Sequence, residues 1–285
     1  MAKAAAGETI TFAEGVWHEG SPALVRPRDH GFWLGSAVFD GARAIAGATP
    51  DLDRHCARLI RSAELMGMRS PLDADAVAAT IRDGIAKFPA GAALYICPLL
   101  YPAGGFIIPE PDSTQFILHI GESPLPEPSG FSACVTRFHR PMPDSAPTGA
   151  KASCLYPNVA RGMQEATDKG FDVGVTLDPL GNVAEFSYAN LFMAQDGAVH
   201  TPAINGTFLN GITRQRVIQL LREDGMEVVE RAIAPAELAQ ADELFATGNY
   251  AKVTPCARFE DREFQPGPAF LRARELYFAF AETCR

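Results

Sequence analysis

The chain has 285 residues, 47% of them hydrophobic and 21% charged, which is enough apolar material for one large core or two smaller ones. Its formal net charge of −9 argues against nucleic acid or an anionic membrane as the main partner and leaves room for a local basic pocket that takes a small anion. The six cysteines (Cys56, Cys97, Cys134, Cys154, Cys256 and Cys284) show no Cys-x-x-Cys and no zinc spacing, so free, mostly buried thiols in a reducing cytoplasm are expected, without a metal.

The first stretch, "MAKAAAGETITFAEG", lacks the apolar core of a secretory signal, and no targeting pattern is expected. "TITFAEGVWHEG" alternates apolar and polar residues around turn formers and predicts an opening hairpin; "SAVFDGARAI" predicts a further strand pair. "DRHCARLIRSAELMGM" places His55, Leu59, Ser62, Ala63 and Met66 near one helix face, with Asp53 as its cap. "DADAVAATIRDGIAKF" sets Val77, Ile81 and Ile85 at helical spacing. The tract from Gly91 to Pro109 is almost uncharged, but Pro98, Pro102, Gly104 and Gly105 interrupt it. It predicts a buried strand and an apolar loop rather than a membrane span. "TQFILHI" is strand-like, and "GESPLPEPSG", residues 121–130, is rich in Pro and Gly without periodicity. It predicts a linker between a smaller α+β domain, 1–120, and a larger domain, 131–285.

Beyond the linker, "FSACVTRF" predicts a strand, and "PNVARGMQEATDKG" a helix capped by Asn158 and stopped by Gly170. The run from Asp172 to Pro202 predicts a three-strand meander with turns at Pro179–Gly181 and Asp196–Gly197. "TRQRVIQLLREDG" predicts a helix, "MEVVERAI" a strand, and "ELFATGNYAKVTPCARF" two strands around a Gly248–Asn249–Tyr250 turn. "GPAFLRARELYFAFAETC" closes the chain as an amphipathic helix. Many neighbouring strands are antiparallel, which excludes a simple doubly wound parallel sheet.

Lys151 is one of only five lysines, and its neighbours Gly149, Ala150, Ala152, Ser153, Cys154 and Leu155 are small or apolar. An amine in apolar surroundings is biased towards its neutral, nucleophilic form and can hold an aldehyde as a Schiff base. The same residue could equally be a strand-end lysine whose amine reaches water. Taken alone, the other candidates have equally ordinary readings. Glu185 could be solvated on its strand, Arg58 solvated on its helix, Tyr156 packed in a core, and Thr213 a plain N-cap. Gly211 permits close backbone approach before a helix whose free N–H groups suit an anion.

In sequence order, however, "DHGFWLGSAVFDGAR", "HCARLIRSAELMGM", Lys151, "AEFSYANLF", "NGITR" and "TGNYAKVTP" resemble the class IV aminotransferases, nearly end to end and leaning towards the branched-chain branch. The resemblance implies fold type IV: a mixed α/β (α+β) two-domain protein with mixed sheets, whose larger C-terminal domain is a β pseudo-barrel flanked by helices. It implies pyridoxal 5'-phosphate held through Lys151, with Glu185 at the ring nitrogen and Tyr156 near the ring hydroxyl. Arg58, Ile212, Thr213 and Asn249 match positions at the phosphate. Phe39, Arg43, Tyr95, Cys97, Tyr250 and Ala251 match the substrate side; Arg43 could meet a carboxylate or pair with an acid. His55 is expected to be packed or hydrogen-bonded only.

The implied activity is transamination between an amino acid, foremost a branched-chain L-amino acid, and a 2-oxo acid, in a cytoplasmic homodimer or larger homo-oligomer. Related activities on the same fold are D-amino acid and (R)-amine transamination and aminodeoxychorismate lysis; no Arg-x-His motif of the D-specific members is present near "YICP". A catalytically silent binding relative is the reading from another class. Four residues depart from the family pattern. Phe186 stands for the usual Gly beside Glu185, Asn249 for Thr or Ser, Leu34 for a pocket tyrosine, and Cys97 for a bacterial arginine.

Overall fold

The structure is a computed structural model that describes residues 9–285. Residues 1–8, with Lys3 and the start of both the stretch read for a targeting signal and the 1–120 domain, lie outside the described residues. The chain forms two compact units. One comprises the described part of Met1–Leu125 with Ala150–Cys154 and Ala281–Arg285; the other comprises Pro126–Gly149 and Leu155–Phe280. The crossing at Leu125 falls inside the expected linker, but the larger unit is not the continuous 131–285 stretch. Ala150–Cys154 joins the first unit because it pairs there: Ala152 bridges Val38, and the Ser153 N–H donates to the Ala37 carbonyl (2.9 Å).

In the first unit, β1 (Thr9–Ala13) and β2 (Val16–Glu19) make the expected hairpin, turning at Glu14 and Gly15, both at positive φ. After α1 (His30–Trp33) come β3 (Val38–Phe39) and β4 (Ala42–Ala44). These last two do not pair with each other as expected. Both align antiparallel to β5 (Leu94–Pro102), because the chain steps at Asp40, whose N–H donates to the Pro98 carbonyl (3.0 Å). Helices α2 (Leu52–Leu65) and α3 (Ala74–Ile85) intervene, and β6 (Thr114–Glu122) completes a wholly antiparallel sheet ordered β2-β1-β6-β5-β3, with β4 also on β5. The 3.6-residue spacing brings Leu59, Ala63, Val77 and Ile81 into one core with Ile96, Leu118 and Ile120. Asp73 caps α3 by accepting the Ala76 N–H (2.8 Å). Asp53, expected to cap α2, lies within its first turn, where a carboxylate favours the helix dipole; the N-cap position is Asp51, in the left-handed region. No helix among the described residues is long and apolar enough to cross a membrane. The Gly91–Pro109 tract is β5 followed by a loop that exposes Phe106, Ile107 and Ile108.

The second unit opens with β7 (Phe131–Val135) and α4 (Tyr156–Asp168). Asn158 is not the cap of α4. A 3-10 turn, Ser153–Leu155, leads straight into the helix at Tyr156, and Pro157 occupies its first turn, where a missing N–H costs nothing. Asn158 instead donates to the His139 carbonyl (3.0 Å), and Gly170 at φ 82 ends the helix as expected. The expected three-strand meander is four strands: β8 (Val173–Leu177), β9 (Val183–Phe186), β10 (Asn190–Gln195) and β11 (Ala198–Pro202). Ser187–Ala189 breaks the run with a tight turn, so β9 pairs with β8 and β10 with β13. Then follow α5 (Ile212–Glu223), β12 (Val228–Arg231), α6 (Pro235–Leu238), β13 (Glu243–Gly248), β14 (Lys252–Phe259), β15 (Arg262–Glu263) and α7 (Pro268–Glu282). The sheet is mixed, ordered β12-β11-β10-β13-β14-β7-β8-β9 with β15 on β14; β11/β12, β14/β7 and β7/β8 run parallel. All six cysteines are free.

Candidate active site

In the first unit Lys151 is fixed by its backbone. The Phe39 N–H donates to the Lys151 carbonyl (3.1 Å), and the Lys151 N–H donates to Ser62 Oγ on α2 (3.1 Å). Ala150 and Ala152 are fully buried on either side, so the small residues that flank Lys151 are what lets this tract enter the core. The side chain is half-buried, with Nζ 4.8 Å from the centroid of the Phe39 ring. Anchored at both its N–H and its carbonyl, the Lys151 backbone fixes where the flexible side chain starts.

Behind Phe39, Asp40 is fully buried and gathers four donors. Arg58 Nε and Nη2 reach its two oxygens at 2.7 and 2.8 Å, His55 Nδ1 lies 2.7 Å away, and the Gly41 N–H donates at 2.7 Å. Burial by itself would raise the Asp40 pKa. The charges and hydrogen bonds of Arg58 and His55 outweigh it and hold the carboxyl well below the usual carboxylate range. Arg58 is therefore a buried arginine aligned by a bidentate carboxylate, not a solvated charge on an outer face. His55 is buried and hydrogen-bonded, as expected.

The sheet of this unit collects the substrate-side candidates on one face. Along β5, Leu94 and Ile96 are buried, while Tyr95, Cys97 and Leu99 alternate to the other side and are half-buried. Phe39 stands opposite Leu99 and Arg43 opposite Tyr95. Directly opposed residues share a face, so Phe39, Arg43, Tyr95 and Cys97 lie together. Arg43 is fully buried; its Nη1 donates to the Ser123 carbonyl and its guanidinium lies 5.5 Å from the Tyr95 ring centroid. Burial, together with the Asp40 charge and against the opposing charge of Lys151, pushes the Cys97 thiol up to about 11, so it is neutral at neutral pH. Leu34 is exposed just after α1.

In the second unit Glu185, on β9, is buried. Its carboxylate pairs with Arg140 Nε (3.5 Å) and accepts from Asn190 Nδ2 (3.3 Å). Arg140 Nε also donates to the Thr207 carbonyl (3.0 Å). Asn190 ties Glu185 to α5: its Oδ1 accepts the Gly211 N–H (3.2 Å) and its Nδ2 donates to the Leu209 carbonyl (3.0 Å). A Cβ on Gly211 would lie 2.1 Å from Asn190 Oδ1, so only glycine fits this approach. No side chain caps α5, so the N–H groups of its first turn, at Ile212 and Thr213, are not taken up by a capping oxygen. Such a turn, buried and polarised by the helix, is suited to a phosphate. Phe186 keeps an extended strand backbone beside Glu185 and packs edge-on against Phe131 (4.9 Å between centroids), so the missing glycine causes no distortion there.

Asn249, Tyr250 and Ala251 form the turn between β13 and β14. Asn249 is half-buried, Tyr250 exposed, and Asn249 Oδ1 accepts from Lys252 Nζ (2.7 Å). Thr247 Oγ1, at the end of β13, is buried without a hydrogen-bond partner among the described residues. An orphaned hydroxyl beside an uncapped helix start and a buried carboxylate makes a donor and acceptor set that fits a phosphorylated, nitrogen-bearing ring. Tyr156 begins α4 and is partly exposed. Sequence reasoning passed over Asp40, Arg140, Thr247 and Lys252 as polar participants. Asp40 lay within the quoted "VFDGAR" motif and Lys252 within "NYAKVTP", so position in a motif was the available signal; Arg140 and Thr247 had none.

The sequence profile of the amino-transferase class IV family matches residues 37–259. A branched-chain-amino-acid aminotransferase of Pseudomonas aeruginosa is 31% identical, covering 92% of this chain and 91% of its own. A crystal structure of an aminotransferase from Brucella abortus, bound to the cofactor PLP, superposes with a TM-score of 0.95 at 44% identity, over 96% of this chain and 99% of that one. A branched-chain aminotransferase from Thermoproteus uzoniensis, solved with norvaline, superposes with a TM-score of 0.89 at 28% identity, over 97% and 96% of the two chains.

Proposed function

The chain belongs to the class IV aminotransferases, pyridoxal phosphate enzymes of fold type IV, and from that premise we propose that it exchanges amino groups between branched-chain L-amino acids and 2-oxo acids. The residues fit the cofactor. Ile212 and Thr213 at the uncapped start of α5, with Arg58 and Asn249, would hold its phosphate. Glu185 would face its ring nitrogen, Tyr156 its ring hydroxyl, and Lys151 would carry it covalently between turnovers. When bound, the cofactor stores the amino group between half-reactions and accepts the electron pair released at the substrate Cα.

The chain's own groups do the rest. Lys151 Nζ, once free, would take the proton from the substrate Cα and deliver it to the cofactor carbon that had carried the aldehyde, and its doubly anchored backbone fixes where that side chain starts. Glu185 would hold a proton at the ring nitrogen through a charge-assisted hydrogen bond. Arg140 and Asn190 hold the carboxylate in place and aimed. On the sheet face of the first unit, Phe39 and Tyr95 supply aromatic surface and Cys97 a small neutral wall, which suits an aliphatic side chain. Tyr250 and Ala251 complete the substrate side. A homodimer in the cytoplasm is the expected form, and six free cysteines accord with a reducing compartment.

The observation that carries the substrate class is this half-buried face, where the Phe39 and Tyr95 rings flank the neutral Cys97 thiol and the Arg43 guanidinium donates to the Ser123 carbonyl. The branched-chain names of relatives near 30% identity support it. Single-turnover absorbance measurements with leucine, valine, glutamate and D-alanine test it. Faster conversion by leucine or valine than by the other two is the expected outcome; a lead for D-alanine would replace the proposal with a D-amino acid transaminase.

A further inference from the structure

Lys252 is 1% exposed and sits at φ 64, the left-handed region that residues with a Cβ rarely adopt. A buried ammonium group and a left-handed backbone are each unfavourable, and together at one residue they require the surroundings to hold them in place. Around Lys252, Gly248 pairs with it across the β13–β14 ladder, the Tyr277 ring centroid lies 5.7 Å from Nζ, and Nζ donates to Asn249 Oδ1 at 2.7 Å. That last contact fixes more than a distance. An ammonium group only donates, so the amide must present its oxygen to Lys252; its NH2, which also only donates, then leads the other way. Without Lys252 the amide could turn over and offer its oxygen, which repels an anion. The buried Thr247 Oγ1, lacking a partner among the described residues at the same end of β13, is a second polar group placed for a ligand there.

We infer that Lys252 is a positioning residue: it locks the Asn249 side chain so that its amide nitrogen serves as the phosphate donor. The inference rests on the proposed role of this turn at the cofactor phosphate. It makes Asn249 and Lys252 a coupled pair, because an amide has two unlike ends that must be oriented. A threonine at position 249 would need no such help, since a hydroxyl hydrogen rotates to suit its acceptor.

The experiment measures the dissociation constant of pyridoxamine phosphate, which is held without a covalent link, from the full-length protein. The variants are Asn249→Ala, Lys252→Met, Lys252→Gly and Asn249→Thr, together with both Lys252 changes in the Asn249→Thr background. Met keeps the apolar stem, and Gly relieves the left-handed backbone, so a folding defect in one does not remove the test. Lys252→Met and Lys252→Gly are expected to weaken binding about tenfold or more in the parent, on the scale of one charge-assisted hydrogen bond, and less than about threefold in the Asn249→Thr background. Equal losses in the two backgrounds would make Lys252 a structural residue only and overturn the inference. Unchanged binding in Asn249→Ala would instead remove the premise that the turn meets the phosphate, a result distinct from the first.

Discussion

Replacing Asp40 with Asn preserves the shape of a side chain and deletes its charge. Asp40 is fully buried and holds Arg58 through two contacts of 2.7 and 2.8 Å, with His55 at 2.7 Å. The variant strands a guanidinium that is itself only 8% exposed. Removing one partner of a buried ion pair costs roughly 3–5 kcal/mol, a large share of a typical stability of about 5–15 kcal/mol. The expected loss in Tm is on the order of 10 °C. Urea unfolding of Asp40→Asn, Arg58→Met and the double variant closes a thermodynamic cycle. Because each single change removes the Asp40–Arg58 contacts while leaving the other charge buried, the double variant should cost at least about 2 kcal/mol less than the sum. The pH dependence has a definite sign. The folded Asp40 carboxyl titrates below its unfolded value of about 3.9, so its stabilisation is complete above that value and is lost as the pH falls through the folded pKa. The stability gap between parent and Asp40→Asn should therefore narrow as the pH drops below about 4. Additive costs in the cycle, or a gap that widens in acid, would refute the argument that Asp40 is the buried counter-charge that aligns Arg58.

Glu185→Gln should retain the cofactor and lose roughly one to two orders of magnitude in single-turnover rate, because a neutral amide cannot hold a proton at the ring nitrogen. Parent-like rates would remove Glu185 from that role. Cys97→Arg places a cation on the face shared by Phe39, Arg43 and Tyr95, and should raise kcat/KM for glutamate relative to leucine roughly 10- to 150-fold. A parent that already prefers glutamate, with a ratio unmoved by the arginine, would contradict the reading of Cys97 as the apolar wall.

The parts of this protein that were legible in its sequence are those carried by local pattern or by motif order. Helical spacing placed Leu59 and Ala63 of α2 and Val77 and Ile81 of α3 in one core, and the chemistry-bearing motifs identified the family. Local pattern failed where a competing local or tertiary feature decided. Asn158 looked like a cap, but the 3-10 turn before it carried the chain into the helix two residues earlier. The run from Asp172 to Pro202 read as three strands because Ser187–Ala189 lacks a Gly or Pro to mark its turn. Lys151 was assigned with the sequence that follows it, yet its hydrogen bonds run back to Phe39 and Ser62, far earlier in the chain. The role of Asp40 was invisible for a related reason. Its partner Arg58 lies on a different element, and nothing in either local pattern shows that a strand-end carboxylate and a helix guanidinium meet in the core.

The central claim is that Lys151 carries the cofactor and moves the substrate proton, and borohydride trapping tests it most directly. Reducing the full-length, cofactor-loaded protein and mapping its peptides should place the pyridoxyl group on Lys151, in the peptide that contains "GAKASCLYPN". Recovery of the label on Lys87, Lys169 or Lys252, with Lys151 unmodified, would contradict the account.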